Sequence, residues 1–276
     1  MTGTLILVPT PIGNLGDISP RAAQALTEAD FIAAEDTRVT IKLLNHLGLK
    51  KPMVSYYEHN RVYSGAHIMA RLVAGESCAV VTDAGMPAIS DPGIDLVRAC
   101  HESGVPVVSV PGPSAVVTAA AMSGMDVTRF TFEGFLSVNK PKRRAHLEEL
   151  RHEKRAMIFY EAPHKLPNTL EDLLAVLGDR EIALVKELTK VHETVDRTTL
   201  AEAALRYREN PPKGEFVLVV AGETPVREKY TPLDALELAR AYVAGGCSPS
   251  EAARRASRET GVKKGEIYDL LTEDGK

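Results

Sequence analysis

Hydrophobic positions in the first part of the chain come in short unbroken runs separated by segments of helical spacing. Thr4–Val8, Phe31–Ala34, Cys78–Thr82 and Val105–Val110 are apolar runs of strand length. Between them a helix is expected from Pro20 to about Ala29, with Ser19 as N-cap and proline at the first helical position. Further helices are expected over Thr40–Leu47, Arg61–Ala74, from Asp91-Pro92 to about Glu102, and over Pro113–Met122. Gly48, Gly75 and Gly104 supply stops. Runs that are apolar throughout, rather than alternating, predict strands covered on both faces, hence a mostly parallel sheet between helices. In such sheets ligands sit beyond the carboxyl ends of the strands, so the loops that follow strands carry the chemistry.

Ser123–Asp126 reads as a linker, and a second α/β pattern follows it. Its strands are Phe130–Leu136, Ala156–Tyr160, Glu181–Glu187, Glu193–Thr199 and Glu215–Ala221; its helices are about Lys142–Arg151, Lys165–Leu177 and Leu200–Arg208. The strands at Glu181–Glu187 and Glu193–Thr199 are close enough in sequence to pair antiparallel, so this sheet is expected to be mixed. From Thr231 the β signal fades. Leu233–Val243, Pro249–Thr260 and Gly265–Leu271 predict three short helices, either a helix-turn-helix or a helical cap on the second half. The division expected is an α/β region over 1–122, a second over 127–224, and a small helical extension over 231–276.

Composition narrows the class. Of 276 residues, 44% are hydrophobic and 25% charged, which excludes disorder as the main state. No apolar run approaches the roughly 20 residues of a membrane helix. The first residues lack a basic region and a long apolar stretch, so no signal peptide and a cytoplasmic location are expected. Three cysteines, Cys78, Cys100 and Cys247, without a CxxC pair, argue against a disulfide framework or a cysteine metal site. The net charge of −4 argues against a surface that coats nucleic acid generally. Two local basic clusters change that picture. One holds Lys140, Lys142, Arg143, Arg144, Arg151, Lys154 and Arg155; the other holds Arg254, Arg255, Arg258, Lys263 and Lys264. Either is a solvated helix face or an RNA contact.

Three loops stand out, each after an apolar run: Pro9–Asp17 (PTPIGNLGD), Asp83–Gly93 (DAGMPAISDPG) and Pro111–Ala115 (PGPSA). Glycine and proline in this density predict rigid loops whose main chain a ligand can approach. None is GxGxxG or GxxxxGK[ST], so neither a dinucleotide fingerprint nor a P-loop is supported. No GxSxG nucleophile elbow and no metal-ligand cluster is visible.

These loops, with ADFIAAEDTR, EGFL, IFYEAPHKL, VKELTKVHE and KGEFVLVVAG, carry a resemblance over about residues 4–223. The chain resembles the tetrapyrrole methylase superfamily of S-adenosylmethionine (SAM)-dependent enzymes, and within it the ribosomal RNA small subunit methyltransferase I family. The first loop has Pro9 and Thr10 before Pro11 where the wider superfamily is glycine-rich, a departure shared with the rRNA branch. The resemblance implies two α/β domains with SAM in the cleft between them, a homodimer, and methylation of a cytidine ribose 2′-hydroxyl in the decoding region of small-subunit rRNA. It implies SAM contacts at Pro11, at Ala84, Gly85, Met86 and Ile89, at Ser114 and Ala115, and at Glu161 and Thr198.

A ribose hydroxyl is a poor nucleophile, and a positioned base would assist its attack. Asp36, Glu161 and Glu187 follow or close strands and are candidates, with Arg38 beside Asp36 on the RNA side. Glu35 and Arg38 are alternatively a local ion pair, and Glu187 a cross-strand partner. Lys140, Lys142, Arg143 and Arg144 are expected to contact RNA phosphates, which position a substrate without reading its sequence. Two other functions fit the pattern less fully: C-methylation of a tetrapyrrole, and a non-catalytic SAM-binding ribosome assembly factor.

Overall fold

The computed structural model describes residues 2–210, 212–223 and 230–273. Their contacts divide into one compact unit over Met1–Glu223 and a second over Thr224–Lys276. Residue 224, the end of the expected second region, and residues 274–276 of the third lie outside the described residues.

The first half of the larger unit alternates strand and helix: β1 (Leu5–Leu7), α1 (Pro20–Glu28), β2 (Phe31–Ala34), α2 (Thr37–His46), β3 (Met53–Ser55), α3 (Arg61–Val73), β4 (Cys78–Val81), α4 (Ile94–Glu102), β5 (Val107–Ser109) and α5 (Ala115–Met122). The sheet has order β3-β2-β4-β1-β5, and every adjacent pair is parallel. The unbroken apolar runs have the expected cause. Phe31, Ala33, Cys78 and Val80 face one core with Ile68, Leu72 and Leu96, while Ile32, Ala34, Ala79 and Val81 face the other with Leu26 and Leu44. Both faces are dry, so no position on β2 or β4 is left for a polar residue.

The second half comprises β6 (Phe130–Phe135), α6 (Lys140–Glu149), β7 (Ala156–Glu161), α7 (Leu166–Leu177), β8 (Glu181–Lys186), β9 (Thr194–Thr199), α8 (Leu200–Glu209) and β10 (Phe216–Val220). Its sheet has order β6-β7-β10-β8-β9; β6 and β7 are parallel and the other pairs antiparallel, so the sheet is mixed. Met157, Phe159, Leu184 and Leu218 face Leu166, Leu170 and Leu173 of α7. On the other face Ile158, Val185, Val217 and Val219 meet Val116, Ala119 and Ala120 of α5. Helix α5 therefore follows the last strand of the first sheet but packs on the second. It buries Val116, Ala119 and Ala120 there and leaves Val117 exposed.

The smaller unit holds α9 (Pro232–Ala244), α10 (Pro249–Thr260) and α11 (Lys264–Glu273) around their own core of Ala235, Ala239, Ala252, Ala253, Ala256 and Ile267. Thr231 and Asp234 form a reciprocal capping box, and Gly261 ends α10 in the left-handed conformation at φ 75°. Among the described residues no helix is long and apolar enough to cross a membrane.

Several boundaries differ from the sequence reading. Helix α2 begins at Thr37, not Thr40, because Asp36 caps it. Helix α4 begins at Ile94, not at Asp91-Pro92, because residues 88–93 are a tight loop with Ala88, Ser90 and Gly93 at positive φ. Strand β3 was not expected.

Candidate functional site

The loops after β1, β4 and β5 meet because β1 lies between β4 and β5. Thr10 and Gly85 exchange backbone hydrogen bonds of 3.0 Å, and the Thr10 hydroxyl donates to the Thr82 carbonyl at 3.0 Å. Gly112 fits against Pro9 so closely that a Cβ there would lie 2.4 Å from Pro9 Cγ. The three loops thus form one stitched surface rather than three separate turns.

That surface is one wall of a cleft of about 420 Å3. Ile12, Ala84, Gly85, Met86 and Ile89 line it from the first two loops, and Ser114 and Ala115 from the third. The opposite wall comes from the second sheet: Phe135 of β6, Tyr160 and Glu161 of β7, Val185 of β8, then Leu188, and Phe216 and Val217 of β10. Glu35, Asp83 and Asp91 form a carboxylate rim.

The rim is built by hydrogen bonds between strand ends. Thr82 Oγ1 donates to Glu35 at 2.6 Å, the Asp83 amide donates to Glu35 at 3.3 Å, and the Asp36 amide donates to Asp83 at 3.2 Å. None of the three carboxylates is ion-paired among the described residues. Burial, followed by the charge of Glu35, pushes the Asp83 carboxyl up from its ordinary value. The same causes act more strongly on Asp91 and push it up to about 6. Burial also pushes the Tyr160 phenol up to about 12, so it stays protonated. The site is therefore an apolar slot with uncompensated negative charge at one edge, suited to a ligand that carries positive charge.

Of the expected SAM contacts, Ala84, Gly85, Met86, Ile89, Ser114, Ala115 and Glu161 line this cleft. Two do not. Pro11 turns to a smaller cavity of about 240 Å3 behind the first loop, and its neighbour Ile12 faces the cleft instead. Thr198 pairs with Ile182 at the far end of β8 from Val185, and its hydroxyl donates to Glu202. Glu161 lines the cleft, but its carboxylate accepts from the Ala162 amide at 2.8 Å and from Thr169 Oγ1, and is 4% exposed. It fixes the start of the segment leading into α7.

Asp36, Arg38 and Glu187, the expected catalytic trio, are each held by local contacts. Asp36 caps α2 and forms a bidentate pair with Arg38, whose guanidinium holds its carboxyl down to about 2. A carboxylate that acidic is a poor proton acceptor. Arg38 is 88% exposed, and neither side chain lines the cleft. The expected local pair of Glu35 and Arg38 is replaced by this one, which frees Glu35 for the rim. Glu187 accepts from the Glu215 amide at 2.8 Å and from Lys190 at 3.0 Å, which hold its carboxyl below the usual range. It tethers the loop after β8 to the residue that precedes β10.

The basic run at α6 divides in two. Arg143 and Arg144 both pair with Asp172 of α7, with the Arg143 and Asp172 side chains only 11% and 5% exposed. Arg143 also donates to the Ser137 carbonyl at 3.0 Å. These arginines hold the helix pair together. Lys140 and Lys142 are exposed and unpaired among the described residues. In the smaller unit, Arg254 and Arg255 are both bound to Glu251.

Glu35, Asp83, Asp91, Tyr160 and Phe135 were not singled out as site residues. One signal was available: Glu35 stands directly after a fully apolar strand and Asp83 two residues after another, the position from which a parallel sheet presents its functional groups.

A parallel sheet is joined across the cleft to a mixed sheet, with glycine- and proline-rich loops as one wall. The sequence pattern of the tetrapyrrole (corrin/porphyrin) methylases matches residues 4–204. The crystal structure of uroporphyrin-III C-methyl transferase from Thermus thermophilus complexed with S-adenyl homocysteine superposes with a TM-score of 0.57 at 14% identity, covering 79% of this chain and 97% of that one. The chain is 45% identical over 273 residues to Ribosomal RNA small subunit methyltransferase I of Synechocystis sp., spanning 98% of both. It is 45% identical over 221 residues to the protein of the same name from Thermotoga maritima, spanning 80% of this chain and 99% of that one. The chain belongs to the ribosomal RNA small subunit methyltransferase I family, within the tetrapyrrole methylases.

Proposed function

We propose that the chain transfers the methyl group of SAM to the ribose 2′-hydroxyl of a cytidine in the decoding region of small-subunit rRNA, acting in the cytoplasm as a homodimer. What supports this most is the pairing of an apolar cleft carrying a carboxylate rim with full-length relatives named for methylation of that RNA.

The cleft fits SAM by size and charge. Its 420 Å3 lies in the range that holds molecules of this size. SAM carries an ammonium and a sulfonium, and Glu35, Asp83 and Asp91 supply charge of opposite sign. Ala84, Gly85, Met86, Ser114 and Ala115 would hold it through a rigid main chain, with Ile12, Val185 and Leu188 as apolar walls. When bound, SAM supplies an electrophilic methyl group on a positively charged sulfur. The task of the chain's own residues is alignment, which brings reacting atoms to roughly 3–3.5 Å. Small apolar side chains suit the methyl position, because a carboxylate fixed against the sulfur would stabilise the reactant and oppose the loss of its charge. At the start of α6, Lys140 and Lys142 carry no ion pair among the described residues and would meet RNA phosphates. Dimerisation is supported by exposed Val117 on α5 and Val108 on the edge strand β5.

The test is methyl transfer from radiolabelled SAM to small ribosomal subunits lacking their native modifications, with naked rRNA and a tetrapyrrole precursor in parallel. Label mapped to a ribose of the subunit RNA is the expected result. Label only in the tetrapyrrole would overturn the substrate, and bound SAM with no label anywhere would favour an assembly factor. Light scattering of the purified chain tests the dimer.

A further inference from the structure

Strand β6 carries an irregularity that the sheet does not need. Phe132 is in register with Ile158 of β7, but the next pairs are Gly134 with Phe159 and Phe135 with Tyr160, so Glu133 is an extra residue. Bulges in parallel pairs are rare, and they re-aim the side chains that follow. In a regular strand Phe132 and Phe135 would point to opposite faces. Here both lie against the Tyr160 ring, at centroid distances of 4.9 and 5.4 Å and interplanar angles of 65° and 63°.

The bulge is held from both sides. Gly134 sits at φ +63°, and a Cβ there would lie 3.0 Å from Ser90 Oγ of the second loop. Glu133 is held by His146 of α6 at 2.9 Å. The result is a phenylalanine that lines the cleft yet is 56% exposed, braced edge-on by Tyr160. The chain beyond it is equally fixed. Arg143, anchored on buried Asp172, donates to the carbonyls of Ser137 and Val138, and Asn139 caps α6. That arrangement presents Lys140 and Lys142 to solvent a few residues past the exposed ring.

We propose that Phe135 is the platform on which the base of the nucleotide being methylated stacks, with Lys140 and Lys142 holding adjoining phosphates. The inference rests on the proposed rRNA reaction. A ribose whose hydroxyl reaches into the cleft carries its base to the cleft mouth, where a braced, half-exposed ring offers a π-face. Stacking on such a ring combined with nearby lysines is how unpaired bases are gripped without a base-pairing partner.

The test uses the full chain with Phe135→Ala, Phe135→Leu and Phe135→Trp, assayed for methylation of undermodified small subunits and, separately, for SAM affinity by calorimetry. Stacking predicts that Ala and Leu raise KM for the subunit about 5- to 150-fold, the range that loss of one stacked base produces. SAM affinity should stay within about twofold, and Trp should restore KM. Lys140→Ala with Lys142→Ala should raise KM and flatten its dependence on salt, by a slope of about 1.4 for two contacts to a single strand. A Leu variant at wild-type KM would reduce Phe135 to apolar packing and overturn the platform. A loss of SAM affinity matching the loss of activity would make it part of the SAM wall instead. A wild-type chain that binds SAM but labels no subunit RNA would sink the proposed reaction, and the platform with it.

Discussion

Asp91→Asn is expected to make the free protein more stable at neutral pH while weakening its hold on SAM. Folded Asp91 keeps its proton up to about pH 6, whereas the unfolded side chain releases it near 3.8. The group therefore favours the folded state fully below pH 3.8, and that advantage is lost as pH rises through 6. At pH 7 the native chain carries the whole cost of ionising this carboxyl beside Glu35 and Asp83. A rise from 3.8 to about 6 corresponds to about 3 kcal/mol at most. Solvent reaches the half-buried side chain, which brings the expected gain to about 1–2 kcal/mol. For a unit of this size that raises Tm by about 2–8 °C. Urea titrations of both proteins at pH 7.5, 6 and 5 would measure it, with the gap narrowing as pH falls. Calorimetry with SAM at pH 7.5 should show weaker binding by Asp91→Asn, since one charge facing the ligand is gone. A variant less stable than wild type at pH 7.5, or a gap independent of pH, would refute the idea that the rim stores charge repulsion.

Asp172→Ala would leave Arg143 buried without its partner and should cost about 3–5 kcal/mol in urea denaturation; a loss below 1 kcal/mol would mean water reaches the pair. Gly112→Ala drives a methyl group into Pro9 and should cost about 1–3 kcal/mol and lower SAM affinity, because the first and third loops must part. Unchanged affinity there would separate loop contact from ligand binding. Ser114→Phe should abolish SAM binding with Tm held within a few degrees, and SAM bound at wild-type strength would put the ligand elsewhere.

The strands were legible where burial on both faces left a continuous apolar signature, as in FIAA of β2 and FVLVV of β10. Strand β3 was not, since it is a half-buried edge of three residues that follows two lysines and a proline. The cleft loops were legible from glycine and proline density alone. The rim was not, because Glu35, Asp83 and Asp91 become neighbours only when β2 and β4 lie side by side. The same limit applies to the basic run: nothing near Arg143 announces that its partner is Asp172, on another helix. The capping role of Asp36 was legible from its immediate neighbours. An aspartate just before a helical segment is first a cap, and the Thr-Arg that follows supplied the amide and the guanidinium it binds.

The position of β1 has a consequence for synthesis on the ribosome. β1 emerges before β4 and β5, which must flank it, so Leu5–Leu7 cannot complete its pairing until Val107–Ser109 has been made. At about 5–20 residues per second, the intervening chain takes roughly 5–20 s to appear. During that wait an apolar segment stands with open edges. The order of assembly also means that the ligand loops after β1, β4 and β5 close together, in the last docking step of the first sheet. A nascent chain stalled before β5 would therefore be prone to aggregate and unable to bind ligand, a vulnerability fixed by strand order rather than by the composition of any loop.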